Sequence, residues 1–298
     1  MDTVPAEPQM PKEAKPSPIA SAADRARLWT PWRMRYVAGR TREPGCIFCN
    51  RLAEGTDTSA LILHRGRHAF IIMNLYPYNT GHVMLVPYAH VSSPEEADDE
   101  ALTELALLHR PVLRALRRAL ACDGFNLGLN VGAVAGAGVA DHLHEHVVPR
   151  WLGDANFMPI LASTVVMPEL IPVTYAKLRA EIGRELQGKP LTAFVATPDD
   201  RVLVDAAGQL PTVEPYSEEP LWRSALRLAH EHGATSAEIA GWAGNGAADA
   251  EPGALAIQAV FPNSDLASGA RLVPAASLLS GPLAEIVRVG LESIRSGS

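Results

Sequence analysis

Three histidines, His142, His144 and His146, hold alternate positions in Asp141-His-Leu-His-Glu-His-Val-Val-Pro-Arg-Trp151. Alternate side chains of an extended strand share a face, so this spacing predicts a β-strand that lines up three imidazoles side by side. Leu143 and Val147 fall on the opposite, apolar face, where Glu145 interrupts the pattern. The chain has only ten histidines in 298 residues, so three in register point to chemistry at this strand. A solvent-facing edge strand or a chance cluster is the plain alternative.

Bulk composition narrows the setting. A length of 298 residues accommodates two domains, and 47% hydrophobic residues supply enough apolar surface for real cores. The formal net charge of −7 argues against a nucleic acid partner, which would want a basic face, although a small anion can still be held by local donors. Three cysteines, two of them spaced Cys46-Ile-Phe-Cys49, fit a reducing compartment and a metal site better than a disulfide framework. A pair of buried small residues would also explain that spacing. No long apolar run suits a bilayer, and the N-terminus lacks a basic region followed by an apolar core, so a cytoplasmic protein without a membrane partner is expected.

Residues 1–27 are rich in Pro, Ala, Lys and Glu and read as a disordered tail, with order expected from Leu28-Trp-Thr-Pro-Trp32. Ala69–Met73 and Gly81–Pro87 read as neighbouring buried strands, joined by the turn-forming Tyr76-Pro-Tyr-Asn-Thr-Gly81. From about Ser93 to Ala121, an acidic start, Leu102, Leu105 and Leu108 at helical spacing and a basic end predict a helix. Pro111 should kink or split it. Phe125–Asn130 reads as a short strand, followed by the Gly/Ala loop 132–138 and the histidine strand. A helix over Met167–Leu186 closes the first domain, and Gly188-Lys-Pro190 is a candidate linker.

The triplet, with its glycine loop before and Val-Val-Pro-Arg after, resembles the histidine-triad (HIT) superfamily of nucleotidyl hydrolases and transferases. The likeness covers roughly residues 28–187 and includes Asn74, Gly81-His82, Val86-Pro-Tyr-Ala-His90 and Asn130. Leu28-Trp-Thr-Pro-Trp-Arg-Met, Gly124-Phe-Asn-Leu-Gly-Leu-Asn130 and Pro149-Arg-Trp-Leu-Gly-Asp-Ala-Asn-Phe157 look most like the bacterial diadenosine tetraphosphate phosphorylases within it. The resemblance implies an α+β fold with an antiparallel sheet, a homodimer and a nucleotide substrate. It implies that His144 is the nucleophile and His146 a donor to phosphate or leaving group. Asn74 would meet ribose hydroxyls, Asn130 the phosphates, and Trp151 the substrate. Backbone amides of the loop, at Gly136 and Gly138 among others, would meet phosphate oxygens. It also implies a structural zinc held by Cys46, Cys49, His90 and His142.

Imidazole chemistry suits these roles, because an ordinary histidine, with a pKa of ~6.5, is mostly neutral and nucleophilic near pH 7. Attack on an α-phosphorus would give a phosphoramidate that a second acceptor cleaves. Two positions depart from the family pattern. Glu145 stands where the motif is apolar and must be exposed, paired or at a wet interface. Gly138 stands where a Ser or Gln usually contacts phosphate, so only its amide remains.

Residues 188–298 are expected to form a smaller α/β accessory domain outside that resemblance. Two strands around Pro198-Asp-Asp200, a helix near Glu218–His232 and a final helix near Leu283–Ile294 are similar in layout to a Nudix domain. Aligned on Gly233, only Glu218 and Glu231 fall on its metal-binding box, so the expectation is a degenerate, non-catalytic copy. For the whole chain, cleavage of dinucleoside polyphosphates is the leading expectation. A non-catalytic, zinc-stabilised nucleotide-binding or regulatory protein is the alternative.

Overall fold

A computed structural model describes residues 44–154, 169–214, 219–244, 253–262, 266 and 269–297. The expected tail, the order at Leu28–Trp32 and the position of Glu218 lie outside these residues. Helices α1 (Ile47–Ala53) and α2 (Asp57–Ala60) precede strands β1 (Ile62–Arg65), β2 (Ala69–Met73) and β3 (Val83–Pro87). Helix α3 (Asp99–Leu120), β4 (Gly124–Leu129), β5 (Glu145–Arg150) and α4 (Ile171–Gln187) follow. These strands form an antiparallel sheet in the order β1-β2-β3-β5-β4. Every residue of β2 and β3 is buried, which is why both read as unbroken apolar runs rather than as alternating patterns.

The remaining elements are β6 (Leu191–Ala196), β7 (Arg201–Val204), β8 (Thr212–Val213), α5 (Leu221–Glu231), β9 (Ser236–Ala243), β10 (Ala254–Val260), β11 (Arg271–Pro274) and α6 (Ala284–Gly297). They build a second sheet, β11-β7-β6-β10-β9, with β8 also on β6. Its β6–β10 pair is parallel. The α+β class expected from the sequence is the observed one. Helix α4 touches α3 and β1 on one side and α5, β9 and β10 on the other. One buried apolar cluster therefore runs through it, from Ile71, Leu85 and Leu116 to Val195 and Leu255.

Two expectations are corrected. Helix α3 runs through Pro111 without the split, one of the two outcomes expected there. The carbonyl that proline leaves without a helical partner is that of Leu107, a residue 70% exposed, where water can replace the lost hydrogen bond. At the N-terminus of α3 the Asp98 carboxylate accepts from the Ala101 N–H at 2.6 Å, and Arg117 and Arg118 occupy the last turn, so both ends suit the helix dipole. The histidine strand is also shorter than its alternation predicts. It begins at Glu145, because the Leu143 N–H donates to the Val91 carbonyl at 2.6 Å and draws residues 142–144 away from the β3 ladder. That ladder ends at the Leu85–Glu145 pair.

Candidate active site

His144 and His146 remain neighbours despite the shortened strand, with ring centroids 4.9 Å apart. Both line a pocket with Phe48 from α1, Met73 to Leu75 after β2, Met84, Gly138 and Val139. Its walls are mostly apolar, with Arg51, Ser59, Asn74 and the two imidazoles among the polar groups, as small-molecule sites commonly are. His144 is buried at 5% exposure and packs against Phe48 with centroids 5.0 Å apart. Its Nδ1–H donates to the His142 carbonyl at 2.8 Å. That bond fixes the hydrogen on Nδ1 and leaves the Nε2 lone pair available. Burial lowers the pKa of His144, against the opposing pull of the His142 carbonyl, so the neutral form persists to lower pH than for an exposed histidine.

A fourth histidine, to which the sequence assigned no role, supports His146. His82 is fully buried at 0% exposure. Its Nδ1 accepts from the Tyr78 backbone N–H at 3.1 Å, which requires a neutral ring with its hydrogen on Nε2. That Nε2–H donates to His146 Nδ1 at 3.0 Å. His146 in turn holds its own hydrogen on Nε2, as a donor. The approach depends on Gly81, which has φ +74° and whose added Cβ would lie 2.3 Å from Leu120 Cδ1. The positive φ at that turn favours glycine.

Cys46, Cys49, His90 and His142 bring one ligand atom each to within 4.8 Å of one another. Cys46 Sγ lies 3.3 Å and Cys49 Sγ 3.7 Å from His142 Nδ1, and Cys49 Sγ lies 3.4 Å from His90 Nδ1. Zn–S and Zn–N bonds of ~2.3 and ~2.0 Å around a tetrahedron require edges of about 3.3–3.8 Å, and these three separations match them. The His142 Nε2–H donates to the Pro87 carbonyl at 2.9 Å, leaving Nδ1 free to ligate, the arrangement expected of a metal-bound imidazole. Burial holds His142 below its ordinary pKa and pushes the Cys49 thiol up. A cation here would bind with release of thiol protons. His142 thus carries two loads: its ring faces this cluster and its carbonyl orients His144.

The other expected site residues scatter. Asn74 lines the pocket, its Oδ1 accepting from the Tyr76 N–H at 2.9 Å. Gly138 lines it as well. Asn130, just past β4, and the exposed Gly136, with φ +84°, are not among its walls. Trp151 faces a different cavity. Glu145 resolves its three options by pairing, since His109 Nε2 of α3 lies 2.8 Å from its carboxylate.

The chain matches the family model described as HIT domain over residues 56–151. The AP-4-A phosphorylase of Mycobacterium tuberculosis is 40% identical over 167 residues, which cover 53% of this chain and 85% of that protein. The adenosine 5'-monophosphoramidase of Saccharomyces cerevisiae is 29% identical over 116 residues, 39% of this chain and 69% of that one. Among solved structures, a histidine triad nucleotide-binding protein from Sulfolobus tokodaii aligns with 31% identity and a TM-score of 0.37. That alignment covers 47% of this chain and 91% of the other.

Proposed function

The chain belongs to the HIT family, and on that premise we propose that it is a nucleotidyl hydrolase or transferase that cleaves dinucleoside polyphosphates through a nucleotidyl-His144 intermediate. The observation that carries this reading is the His144 Nδ1–H bond to the His142 carbonyl, which points an unprotonated Nε2 toward the pocket. Nε2 attacks the α-phosphorus, a P–N bond forms, and the P–O bond to the polyphosphate portion breaks. The Nε2–H of His146 donates to a phosphate oxygen or to the leaving group. A second acceptor then breaks the P–N bond and returns His144 to its starting state. The M. tuberculosis relative, named as a phosphorylase, favours inorganic phosphate as that acceptor, while the missing side chain at Gly138 weakens the case.

Within this reading Asn74 and Gly138 contact substrate, and Asn130 and Gly136 serve only if the glycine loop folds over a bound polyphosphate. Zinc on Cys46, Cys49, His90 and His142 would be structural, since four protein ligands close its coordination and leave the phosphoryl chemistry to His144. A homodimer through the free edge of β4 is part of the proposal, supported by Leu127 and Leu129 exposed there at 41% and 42%. Among the described residues no helix is long and apolar enough to cross a membrane, and we place the protein in the cytoplasm. The C-terminal sheet is read as an accessory domain without metal chemistry, because Glu231, one of the two carboxylates on the box, pairs with Arg227. Product analysis tests the reaction: diadenosine tetraphosphate gives ADP plus ATP with phosphate as acceptor, or AMP plus ATP with water. An intact substrate in both conditions would refute the proposal.

A further inference from the structure

One wall of the histidine pocket is made by Ser59, Ala60 and Leu61. They come from helix α2 (Asp57–Ala60) and the residue that caps it. A helix of four residues is too short to hold its shape alone. Leu61 moreover sits at φ +60° and ψ 27°, a left-handed conformation that a leucine seldom takes without support. The wall therefore depends on what its neighbours supply.

Most of that support comes from its own sheet and from α4. The Asp57 carboxylate, buried at 1% exposure, accepts from Arg65 Nε of β1 at 2.7 Å and lies 3.5 Å from Arg179 Nη2 of α4. Arg179 also donates through Nη1 to the Ile62 and Leu63 carbonyls, at 3.0 and 2.6 Å. One contact comes from the other sheet. The Thr58 hydroxyl donates to the Gly244 carbonyl at 2.8 Å, across 186 residues of sequence. Gly244 is buried and stands just past Ala243–Ala254, the last pair of the β9–β10 ladder. Thr58 thus gives its carbonyl the partner that a buried polar group needs. The φ of Gly244 is +138°, and a Cβ there would lie 2.9 Å from Gly253 Cα, so the position favours glycine and the strand end is held in one conformation.

We propose that Thr58 is a positioning residue through which the C-terminal sheet holds the wall of the substrate pocket, so that the accessory domain serves nucleotide binding. The proposal rests on the reading of the histidine pocket as the substrate site. Thr58 touches no reacting atom; it acts through Ser59, Ala60 and Leu61, whereas His144 and His146 belong to another segment. A wall contact is made alike in the ground and transition states, so loosening the wall raises KM and leaves kcat nearly as it was.

The test compares Thr58→Val, which keeps the shape and removes the donor, with Thr58→Ser, which keeps the donor. Thr58→Val should raise KM for diadenosine tetraphosphate by about two- to tenfold, the factor that one neutral hydrogen bond is worth. Its kcat should stay within about twofold of wild type, and Thr58→Ser should restore KM. Peptide-level hydrogen exchange across residues 56–63, followed without substrate, should be faster in Thr58→Val and return to the wild-type rate in Thr58→Ser. Wild-type KM in Thr58→Val, or a loss that Thr58→Ser shares, would overturn the proposal. So would a fall in kcat and melting temperature at constant KM, the signature of general destabilisation. Failure of the underlying reading looks different: wild type then leaves diadenosine tetraphosphate intact, while the exchange comparison still decides whether Thr58 holds the wall.

Discussion

Substituting His82 tests whether the tautomer of His146 is imposed by its buried neighbour. His82→Phe keeps the bulk of a fully buried side chain and removes its hydrogen bonds from the Tyr78 N–H at 3.1 Å and the Asn74 Nδ2 amide at 3.3 Å and to His146 Nδ1 at 3.0 Å. The Tyr78 N–H loses its acceptor, so the stability cost should be ~1–3 kcal/mol. The catalytic cost is separate. Without a donor at Nδ1, His146 populates the tautomer that carries its hydrogen on the wrong nitrogen. A hydrogen bond of ~0.5–1.5 kcal/mol that selects the right one translates to about a two- to tenfold loss in kcat. His82→Gln restores an N–H donor toward His146 and should recover most of the rate without recovering the Tyr78 bond. Steady-state turnover of diadenosine tetraphosphate, measured beside thermal unfolding, separates the two effects. Wild-type kcat in the Phe variant, or equal losses in Phe and Gln, would refute the reasoning.

Three further outcomes are expected. Purified protein should carry about one zinc per chain, and Cys49→Ser should lose it together with several kcal/mol of stability, because the ion joins three separate segments; metal-free protein of unchanged melting temperature would end that assignment. The acid limb of kcat/KM should fall below pH 6.5, since burial lowers the pKa of His144 from its ordinary value and activity is lost only once pH drops through that lowered pKa; a limb at or above 6.5 contradicts it. Sedimentation at micromolar concentration should show a dimer that Leu129→Glu dissociates, whereas a monomeric wild type rules out the β4 edge contact.

What was legible in the sequence follows the range of the forces involved. Strands β2 and β3 are short apolar runs bounded by turn residues, and helix α3 announces itself by charge order and leucine spacing, so local pattern suffices for both. The pocket residues His144 and His146 were legible because alternation survives where the backbone is only partly extended. The end of that strand was not, since it is set by a single contact between Leu143 and Val91 from a distant loop. His82 escaped for the same reason: its partner is chosen by the β3–β5 register, which places Met84 opposite His146. The partner of Glu145 lies 36 residues away on α3, and nothing local says which turn of that helix faces the sheet. Trp151 was assigned to the substrate by likeness alone, and the structure turns it toward a cavity built from segments that share no local signal.

The central claim is a covalent bond between His144 and the nucleotidyl group, and rapid base-quench of radiolabelled substrate during the first turnover addresses it most directly. The account predicts a labelled, acid-labile and base-stable adduct on the wild-type chain, mapped to the peptide containing His144. In His144→Ala the adduct should be absent and turnover reduced by several orders of magnitude, about 10³-fold or more, because no other group can take over the attack. Undiminished turnover in His144→Ala, or a wild-type chain that completes its first turnover with no label bound, would contradict it.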